Sequence, residues 1–307
     1  MKLITLLFCC ILFSANVFAQ TGCISGNCEK GTGTYKWENG DTYTGKFKNS
    51  LKNGKGIFTF STGDNYTGSF KNDQYNGKGV YTFADGSKYE GSFLNNNYEG
   101  KGVYSYANGD IYSGYFVKNL KEGKGHYQFK DGSDYNGEFL NDLYHGKGLL
   151  KYANGDIYEG EFANGELNGN GVYTLANGDV YAGAFSKGKY NGTGTYYYAN
   201  GDVYNGSFVD NLLDGYGTLR LKDGSTYEGG FKQGNYHGNG TYTFAAGNYY
   251  MGEFANGSYN GRGTLTYTNG DKYEGNFVNN KKSGKGKYTF ANGTVQDGLW
   301  KDDQFVK

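Results

Sequence analysis

Apolar and polar positions alternate along almost the whole chain, and the alternation restarts every 23 residues. Each restart has the form Tyr-x-Gly-x-Phe. It is first seen at Tyr43, Gly45 and Phe47, and it recurs without insertion to Tyr273, Gly275 and Phe277. A degenerate twelfth copy is Gln296, Gly298 and Trp300. A second signal, Gly-x-Gly, keeps the same period from Gly31 and Gly33 to Gly284 and Gly286. A third is a turn signal that runs from Asn39-Gly40-Asp41 to Asn292-Gly293-Thr294. Alternation at period two predicts strands, so each unit reads as two. One strand carries Tyr-x-Gly-x-Phe and the other follows Gly-x-Gly, as in Gly79-Val80-Tyr81-Thr82-Phe83. The Asn-Gly or Asp-Gly between them suits a tight hairpin turn, because those residues tolerate positive φ. A 23-residue period is too short for helical repeats, which also need an Ala/Leu periodicity missing here.

Side chains on a strand point alternately to opposite faces. Tyr89, Gly91 and Phe93 therefore share a face, and in the partner strand so do Gly79, Tyr81 and Phe83, while Lys78, Val80 and Thr82 point the other way. A glycine without Cβ lets a neighbouring ring lie flat on the backbone. The expected fold is all-β: an elongated, single-layer antiparallel array of twelve β-hairpin units, roughly 24 strands and about 110 Å long at ~4.8 Å per strand. The only two tryptophans, Trp37 and Trp300, fall in the first and last units. Charges at Lys301-Asp302-Asp303 discourage further pairing at the final edge.

Composition fits a repeat better than a conventional core. Of 307 residues, 55 are Gly, 33 Tyr and 21 Phe, with no Pro, and aromatics make up 18%. Disordered chains are poor in aromatic residues, whereas repeats can bury rings against their neighbours. Formal charge is zero, which argues against a nucleic-acid partner. Residues 1–19 have the shape of a secretory signal peptide: Lys2, an apolar run from Leu3 to Phe13, and Ala19 at the cleavage point. That run is too short to span ~30 Å of hydrocarbon. Residues 20–30 form an N-terminal cap, 31–300 the repeat array and 301–307 a charged tail. After export, Cys23 and Cys28 would form one disulfide. Thr21-Gly22-Cys23 resembles the end of a bacterial lipobox, so lipidation of Cys23 is the alternative, although Gln20 stands where that motif has an aliphatic residue.

Tyr158-Glu159-Gly160-Glu161-Phe162, followed by Gly169-x-Gly171 and Asn177-Gly178-Asp179, resembles the MORN (membrane occupation and recognition nexus) repeat. The resemblance covers residues 31 to about 300. It departs from the family in having Phe where many copies have Trp, and in the loss of Tyr at Gln296. It implies a twisted β-hairpin array with an aromatic groove, and a protein that scaffolds others, dimerises or sits near membranes. Some members fuse the repeats to catalytic domains; here repeats fill the chain, so no enzymatic activity is carried over.

The residues themselves point to no catalytic group, metal or cofactor. His145 and His237 occupy a slot before Gly-x-Gly that elsewhere holds Asn53, Glu99, Asp214 or Ser283, and His126 stands alone. Phosphate loops place their glycines before a helix; here they precede strands. Two binding surfaces are expected. One is a groove lined by Tyr43, Phe47, Tyr66, Phe70, Tyr89, Phe93, Tyr112, Phe116, Tyr135, Phe139, Tyr158 and Phe162. It would take a polypeptide, a second copy of the chain or a stacked glycan, although core packing accounts for most of these rings. The other is a row of Lys55, Lys78, Lys101, Lys124 and Lys147, about 10 Å apart if the strands stack regularly, facing an anionic lipid or lipopolysaccharide surface; a solvated polar face is the alternative. The expected function is a non-catalytic scaffold of the cell envelope (periplasmic, outer-membrane-associated or extracellular) acting through protein–protein association, with a lipid or glycan surface as the alternative. If the lysine row binds lipid, reversing all five charges abolishes flotation with anionic vesicles; unchanged flotation eliminates that role.

Overall fold

The computed structural model describes residues 20–307; the expected signal peptide lies outside them. Among the described residues every regular element is a strand, 26 in all. They fall into two compact units. One runs to Ala107 with eight strands, and the other spans Asn108–Lys307 with eighteen. In each unit consecutive strands pair antiparallel as an open sheet.

One repeat of the second unit serves for all. The Tyr strand Val180–Ser186 turns into the Gly strand Lys189–Tyr197, which leads into the next Tyr strand, Val203–Val209. Tyr181 pairs with Tyr196, and Gly183 with Gly194, which then pairs with Gly206. The glycines therefore form a continuous ladder across the strands. Tyr181 lies over this ladder. A Cβ on Gly194 would sit 2.6 Å from the ring's Cε2, and one on Gly183 would sit 2.5 Å from the Cα of Gly194. No other residue fits at either place. The Tyr181 hydroxyl donates to the Ala184 carbonyl at 2.8 Å. Phe185 and Phe208 meet the ring edge-on at centroid distances of 5.1 and 5.0 Å, and Tyr190 stacks on its outer face at 3.9 Å. Each such aromatic pair adds roughly 0.5–1.5 kcal/mol beyond its area burial. Eleven tyrosines at this position, Tyr43 through Tyr273, have no solvent exposure at all.

The turns differ from expectation. Asn-Gly and Asp-Gly lie inside five-residue loops rather than two-residue hairpins. In the loop 198–202 the Gly201 amide donates to the Tyr198 carbonyl and the Tyr198 amide to the Asp202 carbonyl, both at 2.9 Å, with Gly201 at φ +99°. The two-residue turns fall in the segment that the sequence pattern leaves as a spacer. Asn141-Asp142 and Asp210-Asn211 have both residues at positive φ, the requirement of a type I′ turn, which Asn and Asp meet at low cost. Between the paired glycines and this turn the strands slip out of phase, forming a bulge between Gly183 and Phe185.

Two strands exceed the expected count because both ends of the chain fold back. Gly22–Gly26 pairs with Lys30–Lys36, and Cys23 and Cys28 are bonded to each other. Gly33 has no tyrosine 13 residues before it; Cys28 Sγ covers it instead, 2.9 Å from where a Cβ would be. At the other end Lys301 still belongs to a strand, and Gln304–Phe305 turns back to pair with it, so residues 301–307 are a closing hairpin rather than a free tail. Trp300 takes the Phe position and its indole N–H donates to the Gly286 carbonyl at 2.9 Å.

The ladder leads to a direct expectation. Gly183→Ala forces a methyl against the Tyr181 hydroxyl and the facing backbone and destabilises the chain by about 1–3 kcal/mol. Ala182→Ser, on the other face of the same strand, changes stability by less than about 0.5 kcal/mol. Chemical denaturation of both variants checks this.

Candidate binding face

The structure corrects the expected groove. Tyr43, Phe47, Tyr66, Phe70, Tyr89, Phe93, Tyr112, Phe116, Tyr135, Phe139, Tyr158 and Phe162 are all buried, none exposed by more than 7%. They cannot meet a partner, because each tyrosine is sealed between the glycine ladder and a second tier of side chains. That second tier is the half-exposed surface. In the first unit it includes Tyr75, Tyr81 and Phe83; in the second, Tyr190, Tyr196, Tyr198, Tyr236, Tyr242 and Phe244. Tyr75 stacks on Tyr66 at 3.8 Å and meets Tyr81 at 6.1 Å, and Tyr81 leans on Phe83 at 4.6 Å. Phe60 and Tyr81, 6.0 Å apart, carry the contact from one repeat to the next. Sequence reading missed the stacked position because it lies on the spacer side of the bulge, where the strand register shifts. Its signal is the 23-residue recurrence of Tyr75, Tyr98, Tyr144, Tyr190, Tyr236 and Tyr259.

Three repeats place lysine at that position. Lys52 Nζ lies 5.1 Å from the centroids of both Trp37 and Phe58, and its other neighbour is Asp73 at 3.4 Å. Lys121 sits over Tyr112 and Tyr127 and pairs with Asp142 at 3.6 Å. Lys282 is ringed by Tyr267, Tyr273, Tyr288 and Trp300 at 5.0–5.6 Å. A cation over a ring face is attracted by its quadrupole, so these positions keep the stacking geometry while adding charge.

The loop carboxylates join repeats. Asp179 Oδ1 accepts the Ala199 amide of the next loop at 2.7 Å, and Oδ2 accepts the Tyr196 hydroxyl at 2.8 Å. Asp64, Asp110, Asp156 and Asp271 do the same with Tyr81, Tyr127, Tyr173 and Tyr288. The backbone bond from Ala199 leads the causes that hold the Asp179 carboxyl below its usual range. Where the turn reads Asp-Gly-Ser the roles exchange: Asp85 accepts the Ser87 amide at 2.8 Å, and Ser87 Oγ accepts the Ala107 amide at 3.0 Å. Burial pushes the Tyr181 phenol up to about 12.

The expected lysine row is split between the units. In the first, Lys55 and Lys78 are exposed and face Ser69 and Ser92 across the strands; Lys101 lies in the strand Asn97–Ser105. In the second, Lys124 and Lys147 face Glu138 and Glu161, which offset their charge. His126 Nε2 contacts Asp134 Oδ2 at 2.6 Å, and His145 lies opposite Glu138; His237 is exposed. No group of three or more His, Cys, Asp or Glu side chains poised for a metal occurs among the described residues, and they include no helix long and apolar enough to cross a membrane. The chemistry on offer is recognition through rings, phenol hydroxyls and fixed carboxylates.

A family model for the MORN repeat matches residues 29–42 and then eleven consecutive 23-residue windows from 43–65 to 273–295. The copy beginning at Gln296 lies beyond the match. Comparison with curated proteins gave no match. Among solved structures, the TCP domain of Drosophila melanogaster SAS-4 (dCPAP), in complex with a proline-rich motif of Ana2 (dSTIL), is 17% identical. That alignment covers 58% of this chain and 90% of that one, with a TM-score of 0.33. The TCP10 domain of Danio rerio CPAP, in complex with a peptide of STIL, is 9% identical over 87% of this chain and 98% of that one, with a TM-score of 0.21. Virginiamycin B lyase from Staphylococcus aureus is 10% identical over 90% of this chain and 86% of that one, with a TM-score of 0.14.

Both titrating groups bear on stability. The Tyr181 phenol is raised in the folded chain above its ordinary value of 10, so its contribution is complete below pH ~10 and is lost as pH rises toward 12. Asp179 is lowered, so its contribution holds above about pH 4 and fades as pH falls through its depressed value. Spectroscopic titration therefore shows tyrosinate absorbance lagging behind free tyrosine and then rising together with unfolding. Asp179→Ala costs about 1 kcal/mol and flattens the acid limb.

Proposed function

The chain belongs to the MORN repeat family, and on that premise we propose that it is a non-catalytic scaffold that holds a partner protein against its second-tier aromatic face. One observation carries this reading. The first-tier rings already complete the core, yet almost every repeat sets further Tyr, Phe or Leu side chains on top of them, half open to solvent. Packing does not require rings there, as lysine at 52, 121 and 282 demonstrates. Tyrosine supplies large, rigid contact area with a polar tip at low entropic cost, which is why it is enriched in protein interfaces. The exported location is part of the proposal; the bonded Cys23–Cys28 pair at the N-terminal edge is compatible with an oxidising compartment.

A photo-crosslinker at Tyr236 or Tyr75 (aromatic face), or at Thr67 or Thr241 (opposite face), tests the assignment in cells. The expected result is one discrete protein adduct from the aromatic-face probes, the Tyr236 adduct being reduced when Tyr190 and Tyr196 are changed to alanine. Adducts from both faces alike, or none from the aromatic face, overturn it. Binding that tracks anionic vesicles or a glycan array instead returns the function to the lipid or glycan alternative.

A further inference from the structure

The first repeat departs from the others at three places, and the three meet in one cavity. In five repeats the carboxylate after the turn glycine accepts a phenol hydroxyl on Oδ2, as Asp64 does from Tyr81 and Asp110 from Tyr127. For Asp41 the corresponding ring is Phe58, which has no hydroxyl to give. The stacked position holds Lys52, where most repeats have Tyr or Leu, and the loop opens with Trp37, where later loops open with Phe, Tyr or Leu. Lysine recurs at 121 and 282, but there Tyr127 and Tyr288 claim the loop carboxylates. Leu219 likewise leaves Asp202 without a phenol, but the stacked residue in that repeat is Leu213. Only the first repeat combines a carboxylate without its phenol, a cation at the stacked position and an indole.

Tyr35, Trp37, Asn39, Asp41, Lys52 and Phe58 line an open cavity of about 610 Å³ in the first unit, within the ~300–1,000 Å³ of small-molecule sites. Ring centroids lie 4.7 Å apart for Tyr35 and Trp37 and 5.3 Å for Trp37 and Phe58, so three rings make one wall. Two polar groups beside them have bonding capacity left. Asp41 Oδ1 accepts the Ser61 amide and Oδ2 the Asn39 side-chain amide, both at 2.8 Å. In Asp110 the same Oδ2 accepts from both Asn108 and Tyr127 at 2.9 Å, so Asp41 Oδ2 has room for one more donor. The Lys52 ammonium, 5.1 Å from the Trp37 and Phe58 centroids, has three donors, and Asp73 at 3.4 Å takes one. We propose that this cavity is a carbohydrate site that holds one neutral pyranose ring. A pyranose has an apolar face of C–H bonds, attracted to the negative face of an aromatic ring, and a rim of hydroxyls that both donate and accept. One hydroxyl donates to Asp41 Oδ2 and another accepts from Lys52 Nζ. Lys52 offsets Asp41 within the cavity and Lys36 offsets Glu38 at its rim, so a charged sugar gains no net attraction. A purely apolar ligand would strip water from Asp41 and Lys52 without replacing it. The site lies in the first repeat, away from Tyr190 and Tyr236, and stands independently of the partner proposed above.

Trp37 is half-exposed and lines the cavity, so its fluorescence reports binding. The other tryptophan, Trp300, is 7% exposed, and Trp300→Phe gives that position the residue of the other repeats, leaving Trp37 as the sole indole. The full chain carrying Trp300→Phe is titrated with methyl β-glucoside, methyl N-acetyl-β-glucosaminide and the matching β-1,4-linked oligosaccharides, with glucuronate and glucosamine as charged controls. A saturable change with at least one neutral sugar is expected, and none with the charged ones at equal concentration. Equal affinity for glycoside and oligosaccharide identifies a free sugar as the source of the ring, and tighter binding of the oligosaccharide identifies a glycan chain. Lys52→Tyr with Phe58→Tyr gives the first repeat the residues that the second carries at 75 and 81. That variant is expected to keep the fold by circular dichroism, to bind at least about tenfold more weakly, and to leave the adduct at Tyr236 unchanged. Asp41→Asn, the residue at 248 that still accepts the next loop's amide, weakens binding in the same direction and decides the matter if the double variant does not fold. No saturable change with any neutral sugar, a stronger response to a charged one, or affinity unchanged in the folded variants overturns the proposal.

Discussion

Everything in this fold depends on a tyrosine ring lying flat on two unsubstituted backbones. Burial of the ring supplies the apolar area that a chain poor in Leu, Ile and Val lacks. The ring reaches the backbone only because Gly183 and Gly194, and their counterparts in every repeat, present no Cβ. Glycine ordinarily weakens a strand, through entropy and the lack of a side chain to pack. Here the facing ring offsets that weakness, and the phenol hydroxyl finds a backbone carbonyl at 2.8–3.1 Å in repeat after repeat. The Phe of the same strand and the Phe of the next then wedge the ring from both sides, so one contact set couples adjacent repeats.

A single-layer sheet has no second layer to hold its repeats in line. Two sets of polar contacts take that part. At the loop edge, the carboxylate or hydroxyl that follows the turn glycine accepts the amide of the next loop. At the turn edge, each type I′ turn docks on the preceding repeat, as Asn211 does by giving its amide to Tyr190 and accepting the Tyr190 amide on its side chain. The terminal glycines lack the repeat's own ring, and the chain covers them with other groups: the Cys28 sulfur over Gly33, and Phe305 with the chain end over Gly298. Both are local solutions to one exposed-backbone problem.

The division between core and surface follows from the same geometry. Once the first tier is sealed, the stacked position above it is free to vary, and it does so among Tyr, Leu and Lys. The opposite face is free in another way. It packs against nothing within either unit, so its composition is set by solvent or by whatever covers it.

Much of this was legible in the chain itself. Period two within strands and period 23 between them determine antiparallel hairpins, and Tyr-x-Gly-x-Phe against Gly-x-Gly determines which face holds the rings, because alternation is a local property of extended backbone. Three things were decided only by the tertiary structure. The bulge sets the two steps from Gly183 to Phe185 against the four from Tyr190 to Gly194, so the residue that stacks on Tyr181 could not be read from a regular register. The turn types depend on φ values that Asn and Asp can satisfy in more than one loop, which is why the tight turn proved to be Asp210-Asn211 rather than Asn200-Gly201. Burial, likewise, is a sum over neighbouring repeats: the sequence marks Tyr181 and Tyr190 alike as aromatic, and only their stacking places one in the core and the other at the surface.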